Sequence, residues 1–237
     1  MCETTVVPMV ADGDTDPEEP GFQPAYEEAG NGTPLILLHG NGEDRSYFRH
    51  QIEDLQDIRH VYALDTRGHG QSPRGTAPFT LDRFVRDLEE FMDQNGIKQA
   101  ELLGFSDGAN IALLFALKHP ERVTKLILAG GNLFPEGMDP KDLEEIRAEY
   151  KTATGHQKEL LSLMVNEPHV QPDELKKLTM PVLVTAGSED VILEEHTRLM
   201  AEATPDSRLV ILPGSHWNAA ESPKAFNEMV RAFLEGE

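Results

Sequence analysis

Gly104-Phe105-Ser106-Asp107-Gly108 is the segment whose residue types and spacing speak most directly of chemistry. A serine with glycine two positions away on either side suits a sharp turn between a strand and a helix. Such a turn strains the serine backbone and lifts the hydroxyl into the open, and the glycines leave room for the close packing around it. A helix starting at Asp107 turns its free N–H groups and its positive dipole end toward the reacting atom. The serine then needs a base and an orienting acid, supplied later in the chain in the order acid, histidine. Asp190, in Gly187-Ser188-Glu189-Asp190, and His216, in Gly214-Ser215-His216-Trp217, meet that order, with Glu189 the rival acid. His216 is expected to take the Ser106 proton, and Asp190 to hold the imidazole tautomer and stabilise the imidazolium. The backbone N–H groups of Asp107 and of Asn41, in His39-Gly40-Asn41-Gly42, are expected to form the oxyanion hole. Asp107 and Trp217 are the candidates for contact with substrate.

These residues are useful only if regular elements hold them together. Pro34 to Leu38 is a short apolar run stopping at His39-Gly40, a strand buried on both faces. Residues 44–57 suit a helix and His60 to Leu64 a second strand. Thr80 caps a helix with Phe84, Leu88 and Phe91 on one face, ending at Asn95-Gly96. Strands are expected at Glu101 to Phe105, Val123 to Ala129, Val182 to Ala186 and Leu209 to Leu212. Helices are expected at 107–119, 194–203 and 219–234. Alternation at this spacing gives right-handed crossovers and a mostly parallel sheet, with Ser106, Asp190 and His216 all just past the carboxyl ends of strands. The long interval 132–180 interrupts the alternation. It carries a helix opened at Asp139-Pro140 and a second over His156 to Asn166, read as a small helical cap. Leu143, Ile146, Leu160, Leu161 and Met164 on it face either the sheet or the substrate. The expected organisation is an acidic, partly mobile head at 1–33 and one domain at 34–237 with the cap inserted at about 132–180. In the head, Val6, Val7, Met9 and Val10 suit a short edge strand, and Asp12 to Pro20 a mobile loop.

Composition narrows the partners. The chain has 237 residues and a formal net charge of −21, which repels phosphate backbones and anionic membrane surfaces. No Lys or Arg precedes Arg45, so the N-terminus lacks a signal peptide's positive region, and the longest apolar run, Ile111 to Leu117, is far short of the ~18 residues of a membrane span. One cysteine, Cys2, excludes an intrachain disulfide. The expected compartment is the cytoplasm, with no nucleic-acid or membrane partner. The oligomeric state is open. Nine histidines are scattered, without a metal-ligand spacing. Asp12, Asp14 and Asp16 mimic a calcium loop, but Pro17 and Gln23 stand where it needs Gly and Glu.

The His39-Gly40-Asn41-Gly42 loop, the Asp65-Thr66-Arg67-Gly68-His69-Gly70-Gln71-Ser72 segment, the Ser106 elbow, Asp190 and His216 together resemble the α/β-hydrolase family. The resemblance spans roughly residues 34–235. It is similar to the small bacterial ester hydrolases of that family and, through the Ser106-Asp107 pair, to the biphenyl-hydrolase-like branch that includes valacyclovir hydrolase. It implies an α/β-hydrolase fold: a mostly parallel sheet flanked by helices, with a short cap. It implies an acyl-enzyme route on a small-molecule ester, amino-acid ester, thioester or activated amide, with water as the only co-reactant and no cofactor or metal. It also implies that the Asp107 carboxylate receives a substrate ammonium, where the residues alone give only a favourable charge at a helix start. Two departures stand out: the head lacks a clear first hairpin, and the cap is shorter than the common four-helix form. Asp65 and Arg67 read as anchors of a loop beside the nucleophile, and His39 as structural.

Other functions remain to be weighed. Gly40-Asn41-Gly42-Glu43-Asp44-Arg45 superficially mimics a dinucleotide fingerprint. Arg45 replaces its third glycine, and Glu43 and Asp44 would repel a pyrophosphate. A carbon–carbon bond hydrolase of the same fold and a ligand-binding or receptor-like protein retaining the triad are the alternatives.

Overall fold

A computed structural model describes residues 5–7 and 21–236. Eight strands run through it: β1 (Thr5–Val7), β2 (Tyr26–Gly30), β3 (Pro34–Leu38), β4 (His60–Leu64), β5 (Ala100–Phe105), β6 (Val123–Ala129), β7 (Val182–Glu189) and β8 (Ser207–Ser215). They form one sheet in the order β1-β2-β4-β3-β5-β6-β7-β8. β2 is antiparallel to both β1 and β4, and every later pairing is parallel. The helices are α1 (Arg49–Leu55), α2 (Leu81–Gln94), α3 (Asp107–Lys118), α4 (Pro140–Thr152), α5 (Gly155–Asn166), α6 (Glu194–Ala203), α7 (Asn218–Glu221) and α8 (Pro223–Glu235).

Alternation along the strands splits the core in two. Ile36 and Leu38 of β3 join the layer packed on α2, α3 and α6, while Leu35 and Leu37 join the layer packed on α1 and α8. A strand covered on both faces favours apolar residues throughout, which is why β3 reads as an unbroken hydrophobic run, while β5 keeps one buried charge, Glu101, paired with Arg59. α2 begins at Thr80, whose hydroxyl accepts the Arg83 N–H, and buries Phe84, Leu88 and Phe91 as its spacing predicts.

The structure corrects several boundaries. Residues 26–30, assigned to the head, form β2 inside the sheet, and β1 lies antiparallel on its outer edge. Tyr26-Glu27-Glu28-Ala29-Gly30 is only partly buried, so its sequence carries little hydrophobic signal. Met9, Val10 and the acidic stretch Asp12 to Pro20 lie outside the described residues. The helix expected over 44–57 is a 3-10 turn at Arg45–Phe48 followed by α1. The one expected over 219–234 is broken at Ser222, where Pro223 opens α8. Between β6 and β7 the insertion carries α4 and α5. Leu143 and Leu161 are buried in its packing, and Leu160 rests on the main core.

Candidate active site

β5 runs straight into α3 through Ser106, which has φ 54° and ψ −121° and is the one non-glycine residue with positive φ among those described. Its conformation is over-determined by packing. The Ser106 N–H donates to Ala129 O at 2.8 Å, and Ser106 O accepts from Ala109 and Asn110. A Cβ on Gly104 would stand 2.2 Å from Gly108 O, and one on Gly108 would stand 2.0 Å from Leu38 O, so neither position admits a side chain. Asp107 opens α3, where its N–H has no partner within the helix.

His216 follows β8 and Asp190 follows β7. His216 Nδ1 donates to Asp190 Oδ1 at 2.6 Å, and both side chains are buried. The Asp190 carboxylate also accepts Ile192 N–H at 2.9 Å and Gly187 N–H at 3.1 Å, which aims it at the imidazole. The ring lies 4.7 Å from the Phe105 ring, and a Cβ on Gly130 would stand 2.8 Å from its Cε1. Ser106 and His216 line one cavity of about 220 Å³. The rival acid Glu189 is exposed and its carboxylate is not the partner of His216.

Asn41 lines the same cavity. Gly40 to Glu43 is a turn closed by Glu43 N–H donating to Gly40 O, with Gly42 at φ +73° in the third position. Two neutral histidines hold it. His39 Nδ1 donates to Gly40 O at 2.8 Å while its Nε2 accepts Thr66 N–H. His69 Nδ1 donates to Arg67 O while its Nε2 accepts Gly42 N–H. Burial pushes both down to about 4. Asp65 and Arg67 anchor the neighbouring segment as expected. Asp65 pairs with Arg45 and caps Gln71 N–H, and Arg67 meets Asp87 through two bonds of 2.8 Å.

Asp107 lines the cavity with a nearly buried carboxyl. Burial pushes its pKa up, opposed by the hydrogen bond from Asn41 and by the nearby His216. Asn41 Nδ2 donates to Asp107 Oδ2 at 2.7 Å and to Leu160 O of α5 at 2.9 Å. The Asn41 side chain, uninformative in the sequence, thus ties the turn to both the elbow and the cap. Trp217 is 47% exposed at the rim, at right angles to the His216 ring.

Sequence reasoning missed part of the wall. Met138 and Asp142 reach the cavity from the insertion, Asn132 from just past β6, and Glu43 from the turn. Of the five apolar cap residues left open, Ile146 and Met164 face the cavity. Glu43 carried one usable signal, its place one residue past the Gly-Asn-Gly turn. Asp142 carried none, because an acid in the first turn of a helix is expected on electrostatic grounds alone. Among the described residues, no group of three or more His, Cys, Asp or Glu could hold a metal ion, and no helix is long and apolar enough to cross a membrane.

The eight-stranded sheet, the strained serine on its strand-to-helix turn and the buried Asp–His pair are the frame of a hydrolase. The chain belongs to the alpha/beta hydrolase fold family, whose model matches residues 33–160. It is 27% identical to the serine hydrolase BPHL of Mus musculus over 239 residues, covering 89% of this chain and 82% of that one. It is 31% identical to the 2-hydroxymuconate semialdehyde hydrolase of Pseudomonas sp. (strain CF600) over 175 residues, 70% of this chain and 60% of that one. A thermophilic esterase from Thermogutta terrifontis superposes with a TM-score of 0.79 at 25% identity, covering 99% of this chain and 98% of the other.

Proposed function

We propose that the chain is a serine hydrolase acting on small carboxylic esters, or on thioesters and activated amides, through an acyl-enzyme. One observation carries this reading. A serine at φ 54° shares a cavity with a histidine whose other ring nitrogen is held by a buried carboxylate at 2.6 Å. In this reading Ser106 Oγ attacks the carbonyl carbon and His216 Nε2 takes its proton. The N–H groups of Asn41 and Asp107 receive the oxyanion, and the alkoxide leaves with the proton from His216. Water then repeats the sequence on the acyl-serine. The cavity, about 220 Å³, supports small substrates over long lipid chains. The exposed ring of Trp217 is suited to cover the substrate at the rim.

The test is covalent. A fluorophosphonate should label the wild type and fail to label Ser106→Ala, which should also lose turnover of p-nitrophenyl esters. Asp190→Asn should lose ~10⁴ in kcat, because the imidazole then rests in the wrong tautomer. Wild-type turnover in Ser106→Ala overturns the reading.

Asp107 supports a finer statement about substrate. A carboxyl with a raised pKa in the wall of the cavity gains from a cation beside it. A charge-assisted contact to a substrate ammonium is worth ~1.5–3 kcal/mol, or roughly 10–150-fold. An α-amino ester should therefore exceed its des-amino analogue in kcat/KM, and Asp107→Asn should erase the difference. Equal values in the wild type would leave Asp107 only its place at the helix start. A second reading, hydrolysis of a carbon–carbon bond, is favoured by the 31% identity to a semialdehyde hydrolase. It uses the same serine, and adding dienoate substrates to the ester panel separates the two.

A further inference from the structure

Asn41 and Asp107, whose backbone N–H groups are the proposed oxyanion donors, are also joined side chain to side chain. Asn41 Nδ2 donates to Asp107 Oδ2 at 2.7 Å, a length typical of an N–H meeting a charged partner. Its second amide hydrogen goes to Leu160 O of α5 at 2.9 Å. Both partners are acceptors, so the NH2 end of the amide must face them. With both hydrogens spent in different directions, the amide has one orientation.

The topology explains why the turn needs this anchor. The β3–β5 ladder ends at Leu38 and Gly104, just short of the turn and the elbow. The two histidine ties fasten the turn from the other side, because Thr66 and His69 follow β4, which flanks β3 opposite β5. Gly40 also packs on the elbow, since a Cβ there would stand 3.0 Å from the Phe105 ring, but an apolar contact carries no direction. The Asn41 amide supplies a directional link on the β5 side. An oxyanion hole depends on such a link, because each donor must lie about 2.7–3.1 Å from the same oxygen.

We propose that Asn41 is a positioning residue whose side-chain amide, held between Asp107 and the cap, sets the spacing of the two oxyanion donors, its own N–H and that of Asp107. The proposal rests on the serine-hydrolase reading above. The Leu160 carbonyl seats the amide, so the cap helix α5 helps to hold the oxyanion turn. Loss of the amide leaves both backbone donors in the chain but frees one to drift from the other.

Three variants test this. Asn41→Ala removes the link and keeps the backbone N–H. Asn41→Asp keeps the size and shape but turns an acceptor toward two acceptors. The double variant Asn41→Asp with Asp107→Asn reverses the polarity and restores a donor facing an acceptor. Each is checked by a thermal melt and compared with the wild type in the rate of fluorophosphonate labelling and in kcat and KM on a neutral p-nitrophenyl ester, which brings no ammonium to Asp107. Removing an oxyanion donor outright costs ~10²–10³ in kcat. Asn41→Ala, which only misplaces one, should lose roughly 10- to 100-fold in labelling rate and kcat, with KM changed less than about threefold. Asn41→Asp should lose no less. The double variant should exceed Asn41→Asp by at least about fivefold in kcat, a coupling that two independent side chains would not produce. Wild-type labelling and kcat in Asn41→Ala, or in Asn41→Asp where the alanine variant does not fold, overturn the proposal. So does a loss carried by KM with kcat unchanged, or a double variant no better than Asn41→Asp. Absence of labelling in the wild type removes the hydrolase reading, and this proposal falls with it.

Discussion

At the scale of single residues, the site is built as much by what is missing as by what is present. Gly104 and Gly108 lack a Cβ where one would strike backbone oxygens at 2.2 and 2.0 Å, and Gly130 lacks one beneath the His216 ring. Gly130 also has φ +60°, a conformation that costs an L-residue ~1–2 kcal/mol. Gly130→Ala should therefore be tolerated by the fold yet tilt the imidazole away from Asp190 and Ser106. We expect kcat to fall roughly 10²-fold with KM little changed, measured beside a thermal melt that shows the variant folded. Unaltered kcat would mean that the ring has slack which its packing against Phe105 does not suggest. The Gly-x-Ser-x-Gly spacing was legible because close approach leaves a local mark in sequence. Gly130 was not, because its reason for being glycine is a residue 86 positions away in the chain.

At the scale of elements, the insertion between β6 and β7 sets the cavity. α4 contributes Asp142 and Ile146, and α5 contributes Met164, while Leu143 and Leu161 on the same helices are buried away from it. The helical period showed which residues share a face but not what that face meets. Asn41 joins α5 to the turn through Leu160 O, and Arg74 pairs with Glu159 of α5, so two ties hold this helix over the sheet. Ile146→Ala should enlarge the pocket without loosening those ties. Esters one or two methylenes longer should then gain in kcat/KM by up to ~0.8 kcal/mol, or roughly fourfold, per methylene. A chain-length profile identical to the wild type would place the acyl group elsewhere in the cavity. The elements themselves were mostly legible. The exceptions are β2, whose polar, half-buried sequence has no clear alternation, and the breaks before Arg49 and at Ser222, where a 3-10 turn and a proline interrupt what composition reads as single helices.

At the scale of the whole molecule, burial of ionisable groups ties stability to pH. His39, His69 and His196 are each pushed by burial from 6.5 down to about 4. The unfolded chain takes up protons between these values that the folded chain refuses, so their contribution is complete above 6.5 and is lost as pH falls toward 4. Glu43 and Asp107 run the other way, because burial raises both and the fold binds their protons more readily. Tm should fall from pH 7 to 4.5 with the histidines prevailing. His196 is the cleanest probe, since it accepts Leu133 N–H at 2.9 Å, packs on Phe134 and lies outside the cavity wall. His196→Gln keeps an acceptor for that N–H and removes the titration. Its melting curve should be shallower in pH, with a gap at pH 4.5 of roughly 1–3 kcal/mol at about 1.4 kcal/mol per pKa unit. Parallel curves would show that His196 does not report the acid transition.

The sequence by itself determined what local rules can reach. Strands buried on both faces, a capped amphipathic helix, the glycine-flanked serine and the chain order of Asp190 and His216 each depend on residues near one another or on a fixed order along the chain. Tertiary structure alone decided that Glu43 and Trp217 line one cavity, that Asn41 reaches Asp107 and Leu160, and that Ile146 and Met164 turn to the cavity while Leu143 does not. Each of these pairs residues from elements separated by whole strands. Which of them touch depends on sheet order and on how two inserted helices settle over it, and neither is written in the pattern of any one segment.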